Sequence, residues 1–198
     1  IGGLVEFVPS FLVESNVPKI SSVTPYSPLE LEGRDIYIRE GCNNCHSQLV
    51  RPFRSETVRY GEYSKSGENV YDHPFLWGSK RTGPDLARGG DKRSKSYKDA
   101  GWHYQHMKKP RSTSEGSIMP AYPWLIDDDG DYDLIGDKIA AMRTLGVPYP
   151  EGYEQVAMDD LNKQAKEIAD FLKNEKGIAV EQNKEIIALI AYLHKLGR

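Results

Sequence analysis

Residues 41–46 read Gly41-Cys42-Asn43-Asn44-Cys45-His46, and they contain both cysteines of the 198-residue chain. Cys-x-x-Cys-His is the attachment signature of a c-type haem. The two thiols add across the vinyl groups of the haem, and the two-residue spacer lets one helical turn present both sulfurs. The histidine that follows then lies under the iron as its proximal ligand. We therefore expect one covalent haem c on Cys42, Cys45 and His46.

Two other uses of a Cys-x-x-Cys pair find less support in the chain. A structural zinc site needs a second pair of ligands, which this chain lacks. A thioredoxin-like redox pair follows a strand in a βαβ unit, and the sequence does not indicate such a unit. A disulfide between Cys42 and Cys45 would close a loop too short to stabilise the fold by much.

A helix is predicted directly before the motif. Ser27-Pro28-Leu29-Glu30 combines an N-cap serine, a proline at the first helical position and a glutamate three residues after the cap. We expect this helix to run to about Glu40 and to end at Gly41. Before it, the prolines and serines of residues 14–28 predict a linker.

The chain after the motif combines a long irregular stretch with three helices. Residues 47–130 have no sustained hydrophobic period and are rich in Gly, Pro, Tyr and Trp, which predicts a long structured loop with short helical turns. Apolar residues at helical spacing predict further helices at 132–145, 159–174 and 182–196. No strand is indicated, so the predicted fold class is all-α.

Composition and charge exclude two classes of protein. Charged residues make up 28% of the chain and the net charge is −3, which excludes a membrane-embedded protein and a globally basic nucleic-acid binder. We therefore expect no nucleic-acid partner. The charge is unevenly spread, with 14 Lys and Arg against 7 Asp and Glu in residues 51–111, and 9 against 16 in residues 112–198. Such a bipolar chain indicates a directed docking face.

Two loops supply the candidates for orienting His46 and for the sixth iron ligand. Residues 82–86, Thr-Gly-Pro-Asp-Leu, resemble the Gly-Pro-Asn/Asp-Leu loop of class I cytochromes c, in which the proline carbonyl accepts a hydrogen bond from the proximal imidazole. That resemblance implies that Pro84 orients His46. Residues 116–122, Gly-Ser-Ile-Met-Pro-Ala-Tyr, resemble the turn that carries the axial methionine in many class I cytochromes c, which implies Met119 as the ligand. The alternatives are Met107, His103 and His106.

The closing helix carries a further resemblance. Residues 186–196 are similar to the C-terminal helix of cytochromes c, which in that fold crosses the first helix at a small residue. The resemblance implies a crossing at Gly33, with Tyr37 opposite Tyr192 or Leu193. The expected architecture is a class I cytochrome c fold with a long loop insertion between the haem motif and Met119, plus extra C-terminal helices.

Two longer stretches of sequence indicate which family of class I cytochromes c the chain resembles. Residues 45–54, Cys-His-Ser-Gln-Leu-Val-Arg-Pro-Phe-Arg, and residues 71–88, from Tyr-Asp-His-Pro to Asp-Leu-Ala-Arg, closely resemble the mono-haem cytochrome c subunit (subunit II) of cbb3-type haem-copper oxidases, which reduce oxygen to water and pump protons. The resemblance covers about residues 1–125 and weakens at 89–110. It implies single-electron transfer to the catalytic haem-copper subunit, from a further cytochrome c subunit or a soluble donor. No bond is made or broken in such a subunit, so no catalytic residue is expected.

The resemblance also implies a membrane anchor. In that family an N-terminal transmembrane helix holds the subunit, and its last turns resemble residues 1–9. The apolar residues 1–13 fall short of the roughly 20 needed to span a bilayer. The expected organisation is the end of a truncated anchor plus linker at 1–26 and a cytochrome c domain at 27–198, on the periplasmic face of a bacterial cytoplasmic membrane. The alternative is an apolar arm packed on the domain.

Three arginines near the motif are candidate partners of the haem propionates. Arginine offers bidentate donors to a carboxylate, so Arg51, Arg54 and Arg81 are predicted propionate contacts. Solvated surface charge, or contact with a partner subunit, is the alternative for each.

Two other functions remain open at the level of sequence. A free soluble electron-shuttle cytochrome c would carry the same haem motif without belonging to an oxidase. A haem enzyme or gas sensor would need an open or labile sixth position on the iron.

Overall fold

The computed structural model describes residues 2–5, 8, 17–78 and 80–197. From residue 17 onward, the helices are α1 (Pro28–Arg39), α2 (Cys42–Cys45), α3 (Arg54–Tyr60), α4 (Ala100–Lys108), α5 (Pro110–Thr113), α6 (Trp124–Asp127), α7 (Ile135–Thr144), α8 (Tyr153–Lys176) and α9 (Glu185–Lys195). A 3-10 turn spans Ser66–Asn69. Extended pairing in the described ranges is limited to one isolated antiparallel bridge, between Asp129 and Lys184. The all-α prediction is therefore confirmed.

Helix α1 begins as its sequence predicts. The Ser27 side chain accepts from the Glu30 N–H, and the Glu30 carboxylate accepts from the Ser27 N–H at 2.8 Å, which together form a capping box. Pro28 occupies the first helical position. The chain leaves the helix through Gly41 at φ 69°, a left-handed conformation that suits glycine, and enters α2 directly. The haem motif is thus placed at the end of a well-capped helix.

Helices α1 and α9 cross at Gly33, as the resemblance to cytochromes c implies. A Cβ added at Gly33 would lie 1.9 Å from the Ala188 carbonyl oxygen and 2.8 Å from the Tyr192 Cβ. Glycine therefore lets the two backbones touch. Beside the crossing, the Tyr37 and Tyr192 ring centroids are 5.2 Å apart. Residues 186–193 of α9 are buried on every side, which is typical of a helix at the centre of a core.

Helices α7 and α8 pack together beside this pair. Helix α8 was predicted at 159–174, but it starts at Tyr153 because Gly152, at φ 81°, turns the chain into it. Its buried side is narrow and consists of Ala157, Leu161, Ala165, Ala169 and Leu172. Gly177 ends the helix at φ 65°. The predicted helices at 132–145 and 182–196 correspond to α7 and α9, each slightly shorter than expected.

Between residues 47 and 130, the longest described helix is α4, which the sequence pattern did not predict. Helix α4 has nine residues, and its buried face carries His103, Tyr104, His106 and Met107. Polar and aromatic side chains make this face, so no apolar period is visible in the sequence. The Asp99 side chain caps the helix by accepting from the Trp102 N–H at 2.8 Å.

The predicted linker lies against the domain where it is described. Tyr149 Oη donates to the Tyr26 carbonyl at 2.6 Å, and Lys195 Nζ donates to Thr24 Oγ1 at 2.7 Å. Gly67 packs so closely that an added Cβ would lie 2.1 Å from the Pro18 carbonyl oxygen. The boundary between 1–26 and 27–198 stays a prediction.

Of the predicted anchor end at residues 1–9, residues 1, 6, 7 and 9 lie outside the described residues. Among those that are described, no helix combines the length and the apolar character needed to cross a membrane.

Candidate haem site

A cavity of about 430 Å³ brings most of the predicted site residues together. Its lining includes Cys42, Cys45, His46, Pro84 and Met119. The walls between these groups are largely apolar and come from α1, α9, α4 and the 82–86 and 114–122 segments. The lining residues that the sequence analysis did not single out for the site include Trp102, Tyr122 and Leu189.

Helix α2 is a single turn that carries both thiols. The His46 N–H donates to the Cys42 carbonyl at 2.8 Å, so the imidazole follows the turn directly. Cys42 is half-buried against the core and Cys45 is exposed. Burial raises the pKa of the Cys42 thiol to about 12. A reactive redox pair needs a lowered thiol pKa, so the thioredoxin-like alternative is not favoured.

The imidazole of His46 is held by the 82–86 segment. Its Nδ1–H donates to the Pro84 carbonyl at 2.8 Å, which leaves Nε2 for a metal. Gly83 lies against the ring, because an added Cβ would come within 2.2 Å of His46 Cε1 and 2.8 Å of Nε2. Tyr37 Oη donates to the His46 carbonyl at 2.8 Å and fixes the backbone on the other side.

Two backbone hydrogen bonds join the end of the haem motif and the residue after it to the segment around Pro84. The Gly83 N–H donates to the Cys45 carbonyl and the Leu86 N–H donates to the Ser47 carbonyl, both at 3.0 Å. The Pro84 carbonyl therefore lies between two fixed points. Its contact with His46 follows from the backbone path of both segments.

The 114–122 segment brings Met119 to the cavity. The Met119 N–H donates to Ser117 Oγ at 3.2 Å, and the Tyr122 N–H donates to the Met107 carbonyl at 2.8 Å, which ties the segment to α4. Met119 is half-buried on the irregular backbone, while Met107 is buried on a regular helix. Both methionines line the cavity.

Two histidines of α4 also line the cavity. His103 is buried, and its Nε2 has no hydrogen-bond partner within the part of the chain that the structure describes. Burial lowers the pKa of His103 to about 3, so its ring is neutral near pH 7. His106 stacks on Trp102, with ring centroids 4.3 Å apart, and its Nδ1 lies 2.6 Å from Thr113 Oγ1. Burial lowers the pKa of His106 as well.

The three candidate arginines lie elsewhere. Among the described residues that line the cavity, Arg51, Arg54 and Arg81 do not occur. Arg81 contacts Glu56 at 2.5 Å and Asp85 at 3.2 Å, and Arg51 lies 4.0 Å from Glu56. Arg54 is exposed at the start of α3. Contact of these arginines with the propionates stays a prediction.

The residues present fit a c-type haem. The apolar lining suits a large flat macrocycle, both thiols face the same cavity, and glycine rather than a larger residue stands against the imidazole. In the described ranges, no group of three or more His, Cys, Asp or Glu side chains could hold a metal ion alone, which leaves the zinc alternative without support.

An all-α chain whose thiols, oriented imidazole and thioether share one apolar cavity is of the cytochrome c-like class. The comparison with protein families names a family for the chain. The chain belongs to the family described as cytochrome c oxidase, mono-heme subunit/FixO, whose model matches residues 1–198. No curated protein matches the chain. The family resemblance predicted from the sequence is confirmed, and with it one haem and a role in electron transfer within an oxidase complex at a membrane.

Proposed function

We propose that this chain relays single electrons through one covalent haem c to the catalytic subunit of a cbb3-type oxidase. Cys42 and Cys45 attach the haem, His46 is the proximal ligand and Met119 is the sixth ligand. The observation that carries the proposal is the shared cavity, in which a motif-bearing turn and the Met119 segment meet beside a preoriented imidazole. Membership in the mono-haem oxidase-subunit family supports it independently.

When bound, the haem supplies an iron that alternates between the ferrous and ferric states. The His46 ring keeps its direction, because the Pro84 carbonyl accepts a hydrogen bond from its Nδ1–H. Leu189 and Leu193, from the core helix α9, keep water from the inner part of the cavity. Cys45 is exposed, so one edge of the cavity is open to partners that exchange electrons. A thioether ligand favours the ferrous state relative to a second histidine and thus a high potential.

The proposed partners follow from this role. The electron acceptor is the catalytic haem-copper subunit, and the donor is a further cytochrome c subunit or a soluble electron carrier. We place the domain on the periplasmic face of a bacterial cytoplasmic membrane, held by an N-terminal anchor that the family resemblance implies. The excess of basic residues in 51–111, the stretch that follows the haem motif, supports a directed docking face.

Expression together with haem-maturation machinery tests the attachment. We expect the purified chain to give the pyridine haemochrome spectrum of a haem with two thioether bonds. Cys42→Ala and Cys45→Ala should each shift that spectrum, because each thiol serves one vinyl group. Met142→Ala, on α7 and away from the cavity lining, is the control and should leave the spectrum unchanged. Unshifted spectra in both cysteine variants would remove the attachment claim.

Electron transfer to an oxidase is a separate measurement. The reduced protein, mixed with cbb3 oxidase that lacks its own mono-haem subunit, should restore oxygen uptake and remain with the complex on purification. A free shuttle would restore uptake without remaining bound, so retention separates the two functions.

A further inference from the structure

We propose that Asp85 and Arg81 are positioning residues for His46. They fix the segment that carries the Pro84 carbonyl, and they thereby set the strength of the His46–Pro84 hydrogen bond and the reduction potential of the haem. The inference rests on the proposed haem at His46. It gives Arg81 a role inside the protein instead of the propionate contact expected from the sequence.

The Asp85 carboxylate is the centre of this arrangement. Its side chain is fully buried, and it accepts hydrogen bonds from Ser47 Oγ at 2.6 Å, from the Leu49 N–H at 2.9 Å and from the Ala87 N–H at 2.8 Å. Ser47 directly follows His46, and Asp85 directly follows Pro84. The carboxylate therefore joins the two segments one residue beyond the imidazole contact.

Arg81 closes the arrangement from the other side. Its guanidinium donates to Ser47 Oγ at 2.8 Å and to the Leu49 carbonyl at 2.6 Å, and it lies 3.2 Å from the Asp85 carboxylate. Glu56 pairs with it through two hydrogen bonds, at 2.5 and 2.6 Å, and these bonds lower the pKa of Glu56. The geometry uses the planar fork of arginine, which a lysine would not reproduce.

Besides the two backbone hydrogen bonds at Gly83 and Leu86, the Pro84 carbonyl depends on this arrangement for its position, because the segment has no helix or sheet to hold it. Residues 80–86 are irregular, so side-chain contacts supply much of its order. Gly83 touches the imidazole, which means that a small displacement either forces the ring aside or lengthens its hydrogen bond. A buried carboxylate with three donors and an arginine partner resists such displacement.

The link to the potential is a property of the imidazole. A hydrogen bond to Nδ1–H makes the ring a more basic ligand, which stabilises ferric iron and lowers the potential. Loosening the Pro84 carbonyl should therefore raise the midpoint potential. It should also let the Nδ1 proton of His46 exchange faster with solvent, by about tenfold for a loss comparable to one hydrogen bond.

Charge and positioning predict opposite signs for one variant. In Arg81→Gln a cation is removed, and electrostatics alone would stabilise ferric iron and lower the potential. Loss of the fixed position of the Pro84 carbonyl would instead raise the potential. We expect the haem-bound Arg81→Gln protein to show a raised potential and a faster-exchanging His46 Nδ1 proton by NMR of the reduced state.

Three further variants complete the test. Ser47→Ala changes no charge and removes the hydroxyl that both Asp85 and Arg81 contact, so it should raise the potential by itself. Arg81→Lys should recover little of the effect. Arg88→Gln removes the same charge from an arginine of similar burial that pairs with Glu68 and does not line the haem cavity, so the His46 proton should exchange as in wild type.

The outcomes separate this inference from the proposed function. If the wild-type chain gives no c-type haemochrome, the proposed function fails and this inference fails with it. If the haem is attached but Arg81→Gln lowers the potential, or if Ser47→Ala leaves both the potential and the proton exchange unchanged, the positioning role is wrong while the haem assignment stands.

Discussion

The orientation of one imidazole depends on residues that contribute no ligand atom. Pro84 provides a carbonyl to His46 at 2.8 Å, and Gly83 provides the absence of a side chain beside the same ring. Because the Pro84 carbonyl holds Nδ1 and the Gly83 backbone lies close to Cε1, contacts within the protein set the direction of the ring. This is the state in which a ligand loses least conformational entropy on coordination.

Gly83→Ala should disturb the site through this contact. The added Cβ would lie 2.2 Å from His46 Cε1, so the ring must turn away from Pro84. We expect less haem in the purified protein and a loss of about 1–3 kcal/mol in the free energy of unfolding by urea. Gly89→Ala, whose Cβ would meet its nearest neighbour at 3.2 Å, is the control. Wild-type haem content in Gly83→Ala would contradict the contact.

Met119→Ala tests the identity of the sixth ligand. It should abolish the weak near-infrared sulfur-to-iron charge-transfer band of the oxidised protein, lower the midpoint potential and open the iron to carbon monoxide. Met107→Ala removes a buried side chain from the same cavity and should lose stability while it keeps the band. Loss of the band in Met107→Ala alone would transfer the ligand to α4. Absence of the band from the wild-type protein itself would leave His103 or His106 as the ligand.

At the scale of helices, the contact of α1 with α9 organises the core. The buried residues of α9 include Ile186, Ile187, Leu189 and Ile190, and each such side chain contributes about 1.5–3 kcal/mol of burial. Contact between the two helix backbones requires glycine at one position, because the Ala188 carbonyl occupies the space of a Gly33 side chain.

Gly33→Ala should therefore destabilise the fold despite the better helix propensity of alanine. We expect a loss of about 3 kcal/mol, since the added Cβ meets backbone that has no room to shift. Gly101→Ala in α4 is the matched control: its Cβ would meet the flexible side chain of Lys176, so its stability should change by less than about 1 kcal/mol. Urea unfolding of both variants measures the difference, and equal losses would mean that the crossing is not rigid.

Helices with caps and an apolar period were predictable, and those without were not. The capping sequence from Ser27 to Glu30 predicted α1, and the run of Ile and Leu in 186–196 predicted α9. Helix α4 was not predicted, because its buried face carries two histidines and a tyrosine instead of an apolar period. Its local sequence signal is Asp99, which caps the first turn. The start of α8 was misplaced because Val156 is exposed and the apolar period begins only at Ala157.

At the scale of the whole molecule, the segment before α1, residues 17–27, lies against the domain. We call this segment the strap. Tyr26 Oη donates to the buried Asp72 at 3.0 Å, and Asp72 is also paired with Arg34 at 2.6 Å. Removal of Tyr26 would leave a buried ion pair with one hydrogen bond fewer, which costs more than the bond itself contributes. Prolines in this segment suggested a free linker, and only tertiary contacts reveal its attachment.

Truncation tests the strap. Deletion of residues 1–26 should lower the melting temperature by about 5–10 °C, for a domain of this size, below that of a protein that lacks residues 1–16 only. Tyr26→Phe in the full chain should show a smaller fall, because it removes the hydroxyl and keeps the ring. Equal melting temperatures for the two truncated proteins would show that the strap contributes nothing to stability.

The sequence singled out five residues that the structure brings to one cavity, but it did not indicate the contacts that support them. Cys42, Cys45 and His46 form a local sequence motif. Pro84 and Met119 lie in short loops whose sequences are themselves recognisable. Contact of Arg81 with the propionates stays a prediction. Its partners Glu56 and Asp85 come from segments whose proximity depends on the fold, so the sequence did not indicate these ion pairs.

The stability of the haem-bound protein should fall as the pH drops below about 6.5. Burial lowers the folded-state pKa of His103 to about 3, so below 6.5 the unfolded chain takes up a proton that the folded chain does not. The stability from this group is present above pH 6.5 and lost as the pH falls, by about 2 kcal/mol at pH 5.

Three carboxylates also contribute at lower pH. Arg81 and Lys176 lower the pKa values of Glu56 and Asp99, so these two groups act with the same sign as His103. Burial raises the pKa of Asp72, which therefore acts with the opposite sign. Urea unfolding at pH 7 and pH 5 should show a smaller loss in His103→Gln than in wild type. An equal loss would assign the acid sensitivity to other groups, among them His106 and His73, whose pKa values burial also lowers.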